Sequence, residues 1–147
     1  MEEPPNYQPP MSVEELLQRY ASGERYFAKF ELPDGANLSG VNLEGSSLDH
    51  AMLFDVDFSG SNLRGVSFCG ANIKCVNFRG ADLEGAKFEG AAVESIMLDQ
   101  ANLNGVTFRG ATCYGYTLKD GQRRSFTVAK SNKRLQRTRL EFALVLI

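Results

Sequence analysis

The sequence predicts an all-β fold, a quadrilateral β-helix closed at its N-terminal end by a short helix. Three observations predict it: an apolar residue at every fifth position over 85 residues, a glycine-rich corner at the same period, and like residues recurring at a spacing of twenty. Written in fives from Ala36, the chain runs ANLSG, VNLEG, SSLDH, AMLFD, VDFSG and onward to YTLKD at residue 120, seventeen units without a gap. The third position is Leu, Phe, Ile or Val in sixteen units and Cys113 in the other, and the fifth is Gly in eleven. Period five matches neither a helix at 3.6 nor a flat strand at 2. It matches a chain that makes a short extended step and then turns a corner. Positions one and three of each unit point the same way, as alternate residues of a strand do. They are the small and the large apolar residues, so that way is inward.

Four corners close one coil of twenty residues, and coils stack at about 4.8 Å, the spacing of hydrogen-bonded strands. Stacking is what buries the apolar side of each unit. The columns agree with this. Third positions read Leu43, Leu63, Leu83, Leu103 on one face and Leu48, Phe68, Phe88, Phe108 on the next, and first positions read Ala51, Ala71, Ala91, Ala111 on another. Outward columns read Asn42, Asn62, Asp82, Asn102, and charges alternate in Glu44, Arg64, Glu84 and in Arg79, Asp99, Lys119. Short polar side chains at second positions suit hydrogen bonds to the local backbone at turns.

The flanks follow in order. Residues 1–11 (MEEPPNYQPPM) are acidic and proline-rich, and are expected to be disordered. A capping helix is expected over 12–23: Ser12 and Glu15 have capping-box spacing, Gly23 is a stop, and Val13, Leu16, Leu17 and Tyr20 form one apolar side. The repeat body is expected over 25–121. Arg25-Tyr26-Phe27 and Phe30-Glu31-Leu32 already read as units, and Pro33-Asp34-Gly35 then adds one residue, which predicts a bulged corner. Residues 122–147 form a basic tail that loses the period; 131–146 suits a helix with Ser131 as N-cap, and a terminal strand is the alternative.

Length and composition bound the rest. The chain has 147 residues and is 43% hydrophobic, which suits one ordinary domain with a core. No window approaches 18 consecutive apolar residues, so no spanning helix is expected, and the N-terminus lacks the basic and apolar regions of a secretory signal. The net charge of −2 divides into −4 over residues 1–24, −4 over 25–121 and +6 over 122–147.

The pattern seen as Ala36-Asn37-Leu38, Ala81-Asp82-Leu83 and Ala101-Asn102-Leu103 resembles the pentapeptide-repeat family, over about 85 residues. The resemblance implies a right-handed winding. It also brings one functional precedent, since a group of members protects DNA gyrase, the target of quinolones, by imitating duplex DNA. The stretch LLQRYASGER, residues 16–25, is similar to the lead-in of cyanobacterial members, and some members dimerise end to end through a C-terminal cap.

Enzyme readings fare poorly. His50 is the one histidine and falls at a corner, and no phosphate-binding glycine loop is present. Catalysis needs a concave pocket with convergent polar groups, which a filled prism does not offer. No catalytic residue, cofactor or small-molecule substrate is therefore expected. Cys113 is inward, Cys69 outward and Cys75 at a corner, so the thiols form no metal site and point to a reducing, cytoplasmic compartment. The expected function is a non-enzymatic protein-interaction or scaffolding module with an unidentified protein partner. Its candidate surface is Met52, Phe54 and Tyr114, outward apolar residues on one face with Lys74 and Glu94 between them. The competing structural reading is that the N-terminal segment covers Met52 and Phe54. The alternative function is gyrase protection by DNA mimicry, against which stand the mixed signs of the outward columns. Neither a membrane nor direct nucleic-acid binding is expected, and the tail offers a route to a homodimer.

Overall fold

A computed structural model of the chain describes residues 1–113, 116 and 117. Single-residue parallel bridges climb the molecule at a spacing of twenty: Asn37 with Asp57, Asp57 with Asn77, Asn42 with Asn62, Ser47 with Ser67, Met52 with Asn72, and so on to Ala92 with Thr112. Four bridges per twenty residues make four faces. Face 1 carries units 36–40, 56–60 and 76–80; face 2 carries 41–45, 61–65 and 81–85; face 3 carries 46–50, 66–70 and 86–90; face 4 carries 51–55, 71–75 and 91–95.

Every corner needs the left-handed backbone region. Glycine enters it freely, but Lys29, His50, Asp55, Cys75, Ser95 and Gln100 also hold φ between 57 and 62° there. The stacked backbone bonds on both sides of each corner impose the conformation on residues that resist it.

The core is the third-position column of each face. Phe58, Phe68, Phe78 and Phe88 are fully buried. Within a face the rings stack nearly parallel: Phe58 on Phe78 at 5.7 Å, Phe68 on Phe88 at 5.0 Å and Phe88 on Phe108 at 4.9 Å. Between faces 1 and 3 they meet edge to face, at 5.8 Å for Phe68 and Phe78. Each such ring contributes about 2–3 kcal/mol by burial and each contact roughly 0.5–1.5 kcal/mol more.

The single added residue at Pro33-Asp34-Gly35 is visible in the register. Tyr26 pairs with Ser47 and Glu31 with Met52, a spacing of 21, whereas Asn37 pairs with Asp57, a spacing of 20. Gly35 takes up the difference at φ 75°.

Helix α1 spans Val13–Ala21. Ser12 accepts from the Glu15 amide, while the Glu15 carboxylate accepts from the Met11 amide, one residue before the position a capping box uses. The helix ends in a Schellman arrangement, with Gly23 N–H donating to the Tyr20 carbonyl and Glu24 N–H to that of Arg19. Leu16 is fully buried over the first coil, as its position on the apolar side predicts.

Two expectations are corrected. Residues 1–11 are not a disordered lead: Tyr7 sets its ring edge-on to Tyr26 at 4.8 Å and donates to the Ala28 carbonyl, Glu3 pairs with Lys29 at 2.8 Å, and Pro10 is buried. Four prolines do not stop an aromatic residue from packing on a ready-made edge. Tyr116 and Thr117 also leave the coil. Thr112–Cys113 (β1) pairs antiparallel with Tyr116–Thr117 (β2), and the last parallel bridge among the described residues is that of Ala92 with Thr112. A tyrosine stands at 116, in a first position that elsewhere holds mostly Ala, Val or Ser. The expectations for residues 122–147, helix or strand, cap or dimer contact, lie outside the described residues.

Candidate functional site

Face 4 differs from the others in its outward residues. In the unit 51–55, Ala51 and Leu53 point inward and are fully buried, so Met52 and Phe54 must point out. They are 47% and 42% exposed, the large apolar side chains most open to solvent within the coils. Above them lie Asn72 and the Lys74–Glu94 ion pair at 3.0 Å. Below them the ladder sets Glu31 beside Met52, and the Leu32 and Gly35 amides donate to the carbonyls of Met52 and Phe54. The N-terminal segment does not cover these residues. Its anchors, Tyr7 on Tyr26 and Ala28 and Glu3 on Lys29, lie on the first-coil unit that runs beneath face 3. Tyr114 lies outside the described residues, so the structure brings together two of the three residues singled out from the sequence.

The outward polar columns are tied into ladders. Asn37, Asn42, Asp57, Asn62, Asn77, Asp82 and Asn102 each accept from the amide two residues on, at 2.8–3.2 Å. Asn77 also donates to Asp57 and Asn102 to Asp82, at 3.0 and 2.9 Å. On face 2, Arg64 bridges Asp82 at 3.1 Å and Glu84 at 2.7 Å, and on face 1 Arg79 meets Asp99 at 2.9 Å. Partial burial would raise the Asp82 carboxyl, but the Glu84 amide and Arg64 outweigh it and hold it below its usual range.

The residues that carry chemistry elsewhere are placed as structural groups. His50 holds a corner at φ 58° with its ring against Gly70, where a Cβ would meet the imidazole at 2.5 Å. Cys69 is half-buried between carboxylates one coil below and one coil above: its amide donates to Asp49 at 2.9 Å, and its Sγ lies 3.3 Å from Glu89 and 3.2 Å from Ser67. Burial pushes the Cys69 thiol up, and Glu89 adds to this. Nothing in the sequence signals that arrangement, because Asp49, Cys69 and Glu89 are twenty apart and share only the fourth position. Cys113 is buried, as its inward position predicts. Among the described residues no cluster of three or more His, Cys, Asp or Glu is placed to hold a metal ion, and no helix is long and apolar enough to cross a membrane.

The family model "Pentapeptide repeats" matches residues 34–53 and 53–90 in eight copies. No curated protein matches the chain. Among solved structures, the chain is similar to alr5209, a pentapeptide repeat protein from Nostoc Pcc 7120, with 34% identity over 78% of this chain and 91% of that one, at a TM-score of 0.38. It is similar to Rfr23, from the cyanobacterium Cyanothece 51142, with 21% identity over 71% of this chain and 97% of that one, at a TM-score of 0.46. It is also similar to QnrB1, a plasmid-mediated fluoroquinolone resistance protein, with 22% identity over 60% of this chain and 52% of that one, at a TM-score of 0.39. With its uninterrupted quintets, a coil of twenty residues and a relative one-third identical across most of both chains, this chain belongs to the pentapeptide-repeat family.

Proposed function

We propose that the protein is a non-enzymatic interaction module, a right-handed prism in the cytoplasm that binds another protein through face 4. The observation that carries this reading is the exposure of Met52 and Phe54 side by side on a rigid wall. Their backbone is fixed by bonds to the coils above and below, including Met52 N–H to Phe30 and Leu53 N–H to Asn72. A preordered apolar pair loses little entropy on binding, which is what makes such a patch effective. Affinity capture with the wild-type chain and a Phe54→Asp variant tests it. A partner retained by the wild type and lost from the variant is the expected result, and identical capture sets would overturn the assignment to this face.

DNA mimicry is the less favoured reading. QnrB1 is a resistance protein in its own right, but here Asp82, Glu84, Glu94 and Asp99 are held by Arg64, Lys74 and Arg79, and Asp82 also by a neighbouring amide. A phosphate mimic depends on a dense uncompensated acidic surface. A gyrase supercoiling assay is expected to show no effect of the added protein.

A further inference from the structure

At the N-terminal end of the same face the coil stops, and the molecule there offers an open groove of roughly 600 Å³. Its apolar lining comes from Pro9, Pro10 and Met11 of the N-terminal segment and from Leu32 and Pro33 of the first coil. Along it runs an unpaired β-edge. The Met52 N–H donates to the Phe30 carbonyl at 2.8 Å, and the Leu32 N–H donates to the Met52 carbonyl at 3.2 Å. In a parallel bridge this leaves the N–H and C=O of the intervening Glu31 directed away from the coil above, toward the groove. No described residue pairs with them. Elsewhere along the face the same two groups are taken by the neighbouring coil, as Asn72 N–H is by Ala51 and Asn72 C=O by Leu53.

The groove is also charged in one sense. The Glu31 and Asp34 carboxylates stand exposed at its rim with no ion pair to a described residue, whereas the Lys29 ammonium is already paired with Glu3. We propose that this edge takes up an extended basic peptide of a partner protein as an added parallel strand. The proposal rests on the reading of face 4 as an interaction surface and names the partner's chemistry. The residue opposite Glu31 carries Lys or Arg, since cross-strand neighbours of opposite charge attract. The residues on either side of it point the other way and are apolar, toward Leu32 and the wall of Pro10 and Met11. The recognition pattern is therefore apolar–basic–apolar in an extended chain, of the strand-addition kind that binds through main-chain hydrogen bonds.

The test is fluorescence anisotropy with the full chain and a labelled peptide Ser-Val-Lys-Val-Lys-Val-Ser, titrated to about 1 mM protein. Binding is expected, weakened about tenfold by the Glu31→Lys/Asp34→Lys double substitution and by changing both peptide lysines to glutamate. N-methylation of the valines and lysines, which removes every main-chain donor of the core, is expected to weaken it about fivefold. No binding, equal binding of the acidic peptide, or indifference to the double substitution or to N-methylation would each overturn the proposal. A dimer lost on the double substitution without any peptide binding would assign the groove to a second copy and overturn it equally. Phe54→Asp separates the two readings. Peptide binding that survives a failed capture experiment leaves the groove standing, and a partner captured through Phe54 with no peptide binding leaves only face 4.

Discussion

The repeat body above Ala36 and the first coil beneath it, residues 25–35, bury the same kind of residue by different means. In the body each ring rests on its own likeness, Phe68 on Phe88 and Phe58 on Phe78, and the register never leaves twenty. In the first coil the register is 21, and Phe27 and Phe30 lie at the end of the stack. What holds that coil is a set of unlike contacts. Arg19 lies 5.8 Å from the Tyr7 ring and 5.9 Å from that of Phe27, bonds Glu24 at 2.7 Å and reaches the Gln8 carbonyl at 3.0 Å; Arg25 lies 3.7 Å over Tyr20. A solenoid stabilises its middle by repetition, whereas its end, with a neighbour on one side only, needs contacts that occur once.

The largest effect that would sharpen this contrast is expected in the middle. Phe78→Ala opens a cavity between two faces and is expected to cost about 3–5 kcal/mol, read as a lower urea midpoint for the whole chain. Phe27→Ala removes a ring buried as completely. The chain can escape part of that penalty by releasing only the first coil and helix α1, so the main transition is expected to move less. Equal shifts would show that the two regions unfold as one unit.

Next comes the hub at the end. Arg19→Ala is expected to cost about 1–2 kcal/mol, confined to the first coil. Hydrogen exchange should locate it: the amides of Phe27, Lys29 and Leu32, bonded to Ser47, Asp49 and Met52, lose protection, while those of Phe68 and Phe88 keep theirs. Loss of protection along the whole stack would break the comparison.

The corners give a smaller test in two directions. Gly60→Ala and Gly70→Ala each force alanine to φ 66°, at about 1–2 kcal/mol. Only at Gly70 does the new Cβ meet the His50 ring, so a modest excess is expected there, and His50→Ala should remove it. Cys75→Gly runs the other way. It relieves a strained corner at φ 62° and is expected to stabilise by up to about 1 kcal/mol after the greater freedom of unfolded glycine is counted. Thermal midpoints of the four variants decide it.

This contrast also marks how far the sequence could be read. Whatever repeats was legible, because seventeen copies of one pattern overwhelm the ambiguity of any one: the inward third positions, the phenylalanine piles, the corner at every fifth residue, and even the slip at Pro33-Asp34-Gly35, which stood out as the one break in phase. The exposure of Met52 and Phe54 was legible for the same reason, as exceptions at positions that are mostly polar. What occurs once was not. Nothing in MEEPPNYQPP announces that Tyr7 finds Ala28, 21 residues on, or that Pro9 to Met11 wall a groove against Leu32 and Pro33. These contacts follow from the shape of the finished end, and neither composition nor period encodes a shape. The departure of Tyr116 from the coil lies between the two cases: the unit fitted the period by its third residue and failed it by its first.

The smallest effect expected concerns the N-terminal segment alone. Burial pushes the Tyr7 hydroxyl up to about 12, from an ordinary value of 10.0. The neutral phenol is the form that donates to Ala28. A raised value means that the folded state favours the proton, so the segment's contribution is intact below pH 10 and is lost as the pH climbs from 10 toward 12. Over that window the segment should come away while the phenylalanine stack stays closed, since Tyr7 meets Ala28 and Tyr26 of the first coil. Burial and Glu3 push the Tyr26 hydroxyl up as well, so the signature of Tyr7 in tyrosinate absorbance is the late step near pH 12, which Tyr7→Phe should abolish. Were the late step to survive in Tyr7→Phe, or the core amides to lose protection in the same window, the end would not be separable from the middle.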